Sequence, residues 1–86
     1  MIAGPGSGGA GGLKMIASGE ASRSQTIQMP SVALFVILIN SQSSAVVPPA
    51  NISVRVNNNL TGRLSTDGLS LTLSGVDTSG NWYAFG

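Results

Sequence analysis

The fold is decided by residues 52–73, which read ISVRVNNNLTGRLSTDGLSLTL. Apolar and polar side chains alternate here in three short runs, which is the pattern of strands with one buried face. The runs are separated by the asparagines at 57–59, a residue type that tolerates positive φ, and by Asp67 and Gly68, a preferred hairpin dipeptide. The stretch therefore predicts three successive antiparallel strands.

The longest apolar run precedes this stretch and lies within residues 31–40, which read SVALFVILIN. Its β-branched and aromatic content favours a strand that is covered on both faces. Residues 40–50 are mostly polar and end in Pro48, Pro49 and Ala50. This composition predicts a loop or a crossover between strands.

Shorter strands are expected nearer the two ends of the chain. Residues 13–17 and 26–29 alternate, with a turn expected at 19–20, and a last strand is expected at 81–85 after a turn at 77–80. No stretch shows a sustained period of 3.6 residues. We therefore predict an all-β chain, a small antiparallel β-sandwich or barrel of about six or seven short strands.

The N-terminal residues differ from the rest in composition, because six of the first twelve are Gly. We interpret residues 1–12 as a flexible Gly-rich arm and residues 13–86 as a single β domain. The arm matches G-x-G-x-x-G at Gly4, Gly6 and Gly9. That nucleotide-binding motif requires a preceding strand, so we predict no nucleotide site.

Charged residues are scarce, at 8 % of the chain against about 25 % in a typical soluble domain. There is no His and no Cys, which removes the common general base, the thiolate nucleophile and the usual zinc ligands. A net charge of +1 does not supply the basic patch that nucleic-acid binding requires. We therefore predict no enzymatic activity, no cofactor, no metal site and no direct nucleic-acid binding. We also expect no membrane span, because the apolar run of eight residues is far shorter than the about 20 that a spanning helix needs.

The three carboxylates do not resemble a catalytic pair. Asp67 and Asp77 lie in turn sequences, where Asp commonly accepts hydrogen bonds from the backbone. We interpret both as turn residues.

Three aromatic residues lie close together near the C-terminus, at Trp82, Tyr83 and Phe85. Such a group resembles a sugar-stacking patch, so a small carbohydrate-binding module is one alternative function. The favoured interpretation is packing in a core or an interface, because aromatic rings bury large areas.

The most informative feature is a block of 31 residues, 24–54, that contains no charge. An apolar, uncharged strand aggregates if it is left exposed, so we expect this region to be buried against other subunits. A small domain cannot bury all of its apolar side chains by itself. The candidate interface comprises Val32, Leu34, Phe35, Val36, Ile37, Leu38, Ile39, Trp82, Tyr83 and Phe85.

The Gly/Ser/Ala-rich start at 4–12, the Ser/Thr/Asn-rich alternating strands at 52–56 and 69–73 and the lack of catalytic residues resemble small structural proteins of viruses, especially bacteriophage capsid, cement, tail or fibre components. The resemblance is one of general composition and covers the whole chain. It implies a non-catalytic subunit present in many copies in a virion that is assembled in the host cytoplasm. The expected partners are other copies of the chain and other structural proteins. A cell-surface pilus or adhesin subunit is the other alternative.

Overall fold

The computed structural model describes residues 13–21, 24–41, 43–57, 60–75 and 80–86. In these residues the chain is all-β, with two antiparallel sheets of four strands each and no helix. This arrangement fits a small β-sandwich. The predicted arm and most of the turn expected at 77–80 lie outside the described residues.

Eight strands follow one another along the described chain, one or two more than expected. They are β1 (Met15–Glu20), β2 (Gln25–Gln28), β3 (Phe35–Asn40), β4 (Ser44–Val47), β5 (Ser53–Asn57), β6 (Leu60–Leu64), β7 (Ser70–Gly75) and β8 (Gly80–Phe85). Sheet I has the strand order β1-β8-β3-β4, and sheet II has the order β2-β7-β6-β5. β3 and β7 are therefore both flanked by neighbours, while β1, β4, β2 and β5 are edge strands.

A single hydrophobic core lies between the two sheets. Val36 and Leu38 of β3 are fully buried, as are Leu64 of β6 and Leu71 of β7. Each alternates with a more exposed residue along its strand, as the period of two requires. The buried hydrophobic residues are Ala21, Met29, Ala33, Val36, Leu38, Val47, Val56, Leu60, Leu64, Leu71, Leu73, Trp82 and Ala84.

The three strands predicted from residues 52–73 are confirmed as β5, β6 and β7, which pair in sequence order within sheet II. Two other expectations are wrong. Residues 40–50 are not entirely loop, because Ser44–Val47 forms an edge strand that pairs with β3. Residues 19–20 are not a turn, because β1 continues through Glu20 and pairs there with Asn81.

Gly62 of β6 allows the two sheets to approach each other. A Cβ atom at this position would lie 2.6 Å from Cδ1 of Leu38 on the opposite sheet and 3.4 Å from Cγ2 of Val47. Both neighbours are fully buried, so a methyl group at position 62 would have to displace a packed core side chain. Glycine is therefore required at position 62 by close packing between the sheets.

We predict that Gly62→Ala lowers the free energy of unfolding by about 1–3 kcal/mol, because an extra methyl group overpacks the core. Leu38→Val in the same chain removes the carbon that the new methyl would contact. The double variant is therefore expected to be more stable than the sum of the two single effects, as measured by denaturant unfolding. Purely additive effects would contradict this explanation.

Candidate interface on the outer side of sheet I

The outer side of sheet I carries an apolar surface. Along β3 and β8, fully or nearly fully buried residues alternate with half-buried or exposed ones that face away from the core. On these two strands the outward positions are hydrophobic or aromatic instead of polar, except for Asn81, while the edge strands add Ser18, Glu20 and Ser44 at the margins of the same side. We call this surface the outer apolar face, and it comprises Met15, Phe35, Ile37, Ile39, Val46, Tyr83 and Phe85.

One row of this face is aromatic. Phe85 of β8 pairs with Met15 of β1 on one side and with Phe35 of β3 on the other. The rings of Phe35 and Phe85 are stacked, with centroids 5.3 Å apart and an interplanar angle of 19°. Stacked rings of this kind attract each other in addition to the area they bury. Together with Met15 they form an apolar row across three strands.

The neighbouring positions continue the apolar surface towards the edge of the sheet. Tyr83 pairs with Ile37, and Ile37 pairs with Val46 on the edge strand β4. Val46 is 58 % exposed, and Ile39, two residues after Ile37, is 42 % exposed. The outer apolar face therefore extends from β1 to β4, and its edges are its most accessible parts.

The outer side of sheet II is polar by contrast. The hydroxyl groups of Thr26 and Thr72 share a hydrogen bond at 3.5 Å, and the Gln28 side-chain amide donates to the Ser70 hydroxyl at 3.1 Å. Arg63 is exposed on β6 of the same sheet. Antiparallel sheets commonly bury one face and present polar residues on the other. Sheet II follows this rule and sheet I does not.

The structure separates the ten predicted interface residues into three groups. Val36, Leu38 and Trp82 are buried between the sheets, so in the folded chain they form the core and cannot contact a partner. Val32 and Leu34 are exposed in the segment that precedes β3. The five that belong to the outer apolar face are Phe35, Ile37, Ile39, Tyr83 and Phe85.

Sequence reasoning missed two members of the outer apolar face, Met15 and Val46. Val46 was missed because residues 40–50 were expected to be a loop. The adjacent β-branched residues Val46 and Val47 are a strand signal, but a weak one in four residues. Met15 lies in a predicted strand, but the alternation of a single strand does not reveal which side faces the core.

Trp82 is a core residue and not a surface platform for a sugar. Its side chain is only 5 % exposed and lies against Gly19 of β1, where a Cβ atom would be 2.9 Å from the indole Nε1. The indole covers an edge-strand position that has no side chain of its own. Because sugar stacking requires an accessible ring face, a carbohydrate site at Trp82 is not supported.

Asp67 is confirmed as a turn residue, in the loop between β6 and β7. The Ser65 hydroxyl and the Leu69 N–H, at 3.0 Å, both donate to its Oδ1. These two hydrogen bonds, that from Ser65 above all, lower the pKa of Asp67 below its ordinary value of 3.8. Gly68 adopts a φ of 72°, and its N–H donates to the Ser65 carbonyl at 2.9 Å.

The described residues contain one other carboxylate, that of Glu20. Glu20 is exposed on β1, and Asp77 lies outside the described residues. The part of the chain that the structure describes contains no group of three or more His, Cys, Asp or Glu that could hold a metal ion. It also contains no helix that is long and apolar enough to cross a membrane.

Comparison with known proteins does not identify a family. No protein-family model, no curated protein and no solved structure matches the chain. A functional assignment therefore depends on the residues and their geometry.

We predict that Asp67→Asn lowers the free energy of unfolding at pH 7. The ionised carboxylate is the form that the turn stabilises, so its contribution is fully present above pH 3.8 and is lost as the pH falls through the lower pKa of the folded state. Urea unfolding of the original chain and the variant at pH 7 and near pH 2 measures this difference. The two chains should differ at pH 7 and converge at low pH, and an equal difference at both pH values would refute the role of the charge.

Proposed function

We propose that the chain is a non-catalytic structural subunit of a multi-copy assembly, in its most specific form a capsid, cement, tail or fibre component of a virion. The observation that carries this proposal is the outer apolar face. A subunit that functioned alone in water would be expected to present polar side chains there, as sheet II does on its own outer side. The virion is proposed from the compositional resemblance of the chain to such proteins.

The size of the outer apolar face supports a role in contact with other subunits. Three strands of six residues and one of four, about 4.8 Å apart with a rise of about 3.3 Å per residue, give the outer side of sheet I an area on the order of 350 Å² in plan, and the outer apolar face occupies the larger part of it. A contiguous apolar patch of a few hundred Å² is often functional on a soluble protein. The face also lacks charge at its centre, which is typical of the core of an interface.

The distribution of charge also supports the proposal. The charge-free block 24–54 includes both β3 and β4, which together contribute four residues to the outer apolar face. An apolar strand with no charge next to it has no protection against association. In a subunit whose neighbours cover it, such protection is unnecessary.

We predict that Ile39→Lys reduces the mass of the assembly in solution. Ile39 is exposed on the outer apolar face, so a lysine there can remain solvated in the isolated chain but would be desolvated in an interface. Size-exclusion chromatography with light scattering should give a mass of several copies for the original chain and a smaller mass, of fewer copies, for the variant at the same concentration. Circular dichroism checks that the variant stays folded.

The matched control is Thr72→Lys, which places the same charge on β7, a central strand of sheet II, on its polar side. This variant should retain the mass of the original chain. Equal loss of assembly in both variants, or none in Ile39→Lys, would refute the proposed role of the outer apolar face.

The virion form of the proposal has a separate test. In cells that produce the chain together with its natural neighbours, the chain should sediment with nuclease-resistant particles and remain with them after purification on a density gradient. If the chain is recovered only in the fraction free of particles, a virion role is contradicted. The more general role in an assembly would then still be judged by the size-exclusion experiment.

A further inference from the structure

The edge strand β4 has a feature that the outer apolar face does not explain, which is a short stretch of backbone hydrogen-bonding groups that neither a charge nor a bulge protects. The other edge of sheet I, β1, contains Glu20 and a register shift between Met15 and Ala17. The edge strand β5 contains Arg55 and a register shift that follows it. Charges and bulges of this kind prevent an edge from pairing with another chain. β4 has neither.

The hydrogen-bonding pattern of the β3–β4 hairpin shows which groups of β4 are free to pair. The Asn40 N–H donates to the carbonyl of Ser43, which lies opposite it, at 2.9 Å. Hydrogen-bonded pairs alternate with non-hydrogen-bonded pairs along an antiparallel ladder. Ala45 and Val47 therefore bond to β3, while the N–H and C=O groups of Ser44 and Val46 point away from the sheet.

This free edge is limited to two residues by its flanks. Beyond Val46, the next residue whose backbone groups point to the free edge is Pro48, which has no N–H. The Pro48 carbonyl already accepts a hydrogen bond from the N–H of Ala50 at 2.8 Å. On the other side, the Ser43 hydroxyl donates to the carbonyl of Val56 at 2.7 Å, which ties this end of the hairpin to β5. A partner strand must therefore bond to only two residues of β4, Ser44 and Val46, each of which offers one N–H and one C=O.

A second copy of β4 matches this pattern. If two copies lie antiparallel with Ala45 opposite Ala45, Ser44 of each copy lies opposite Val46 of the other, and each of these two pairs exchanges two hydrogen bonds. Every backbone N–H and C=O group of Ser44 and Val46 at the free edge then has a hydrogen-bond partner. We propose that two copies of the chain associate through this antiparallel β4–β4 pairing, which joins two copies of sheet I into one eight-stranded sheet.

The side chains favour a second copy over a different partner. Self-pairing brings identical strands together, so a charged edge would bring like charges close to each other, and β4 contains no charge. The edge strand β2 is also uncharged, but its exposed residues Thr26 and Gln28 are polar and bond to β7. Of the two uncharged edge strands, only β4 has a large exposed apolar side chain that pairing would cover, that of Val46.

The pairing rests on the proposed function, because it describes how copies of one subunit meet. It is nevertheless a separate interaction from the outer apolar face, since it uses the backbone of one edge and leaves most of that face uncovered. The joined sheet would present two outer apolar faces side by side to further neighbours.

The chain contains no Cys, so a single introduced Cys reports the register directly. In the proposed register, the Ala45 positions of the two copies form a non-hydrogen-bonded pair with Cα atoms about 4.5 Å apart, within reach of a disulfide. The Val46 positions are offset by two residues along the strands, which separates their Cα atoms by about 8 Å, beyond the limit of about 7 Å. Ala45→Cys should therefore form a disulfide-linked dimer, and Val46→Cys should not.

The experiment is air oxidation of the two full-length variants at equal concentration, followed by non-reducing electrophoresis. We expect about tenfold more cross-linked dimer from Ala45→Cys than from Val46→Cys, because only the former meets disulfide geometry. Random collision favours the opposite result, since Val46 is exposed and Ala45 is half-buried. Equal cross-linking of the two variants, or more from Val46→Cys, would overturn the proposed register.

A second variant tests the pairing without a cysteine. Val46→Pro removes an N–H that β3 does not use, so the hairpin remains intact while the edge loses a donor. It should weaken dimerisation about tenfold relative to Val46→Thr, which keeps the N–H, in sedimentation equilibrium. If neither cysteine variant cross-links and Val46→Pro behaves like Val46→Thr, while Ile39→Lys still disrupts assembly, the edge pairing is wrong and the proposed function stands. If the original chain is a monomer and Ile39→Lys has no effect, the proposed function itself fails.

Discussion

The structure depends on one constraint, which is that β3 is apolar on both of its faces. Val36 and Leu38 face sheet II and are fully buried, so this side of the strand forms the core of the chain. Ile37 and Ile39 face the other way, where no described element of the chain covers them. The hydrophobic effect acts equally on both sides of the strand. The fold buries one side of β3 against sheet II, and the proposed assembly buries the other side against neighbouring subunits.

Much of the fold follows from local pattern, and the errors have local causes. β5, β6 and β7 were predictable because each alternates over five or six residues and ends at a recognisable turn, such as the one at Asp67 and Gly68. β4 was not, because four residues between serines and prolines carry too little alternation to be distinguished from a loop. β1 was expected to end before Gly19, but the Trp82 side chain covers that position and the strand continues.

The sequence indicated which strands carry the candidate interface, but not which side chains of those strands face away from the core. An uncharged apolar run identifies β3 as a strand with two apolar faces, yet alternation cannot say which face meets the core. The same ambiguity applies to Trp82 and Tyr83, which must point to opposite sides. The choice depends on the neighbouring strands, because Gly19 of β1 in the same sheet leaves space for the indole and Gly62 of the opposite sheet leaves space for Leu38. Such complementary positions lie far apart in sequence, so only the tertiary structure reveals them.

If the uncovered side of sheet I meets other subunits, the purified, unmodified chain is an oligomer, and native mass spectrometry over a dilution series detects it. This measurement counts the copies in each species without a label or a substitution. We expect a defined oligomer that dissociates into monomers only on dilution. A chain that remains monomeric, folded and soluble at the highest concentration reached would contradict it.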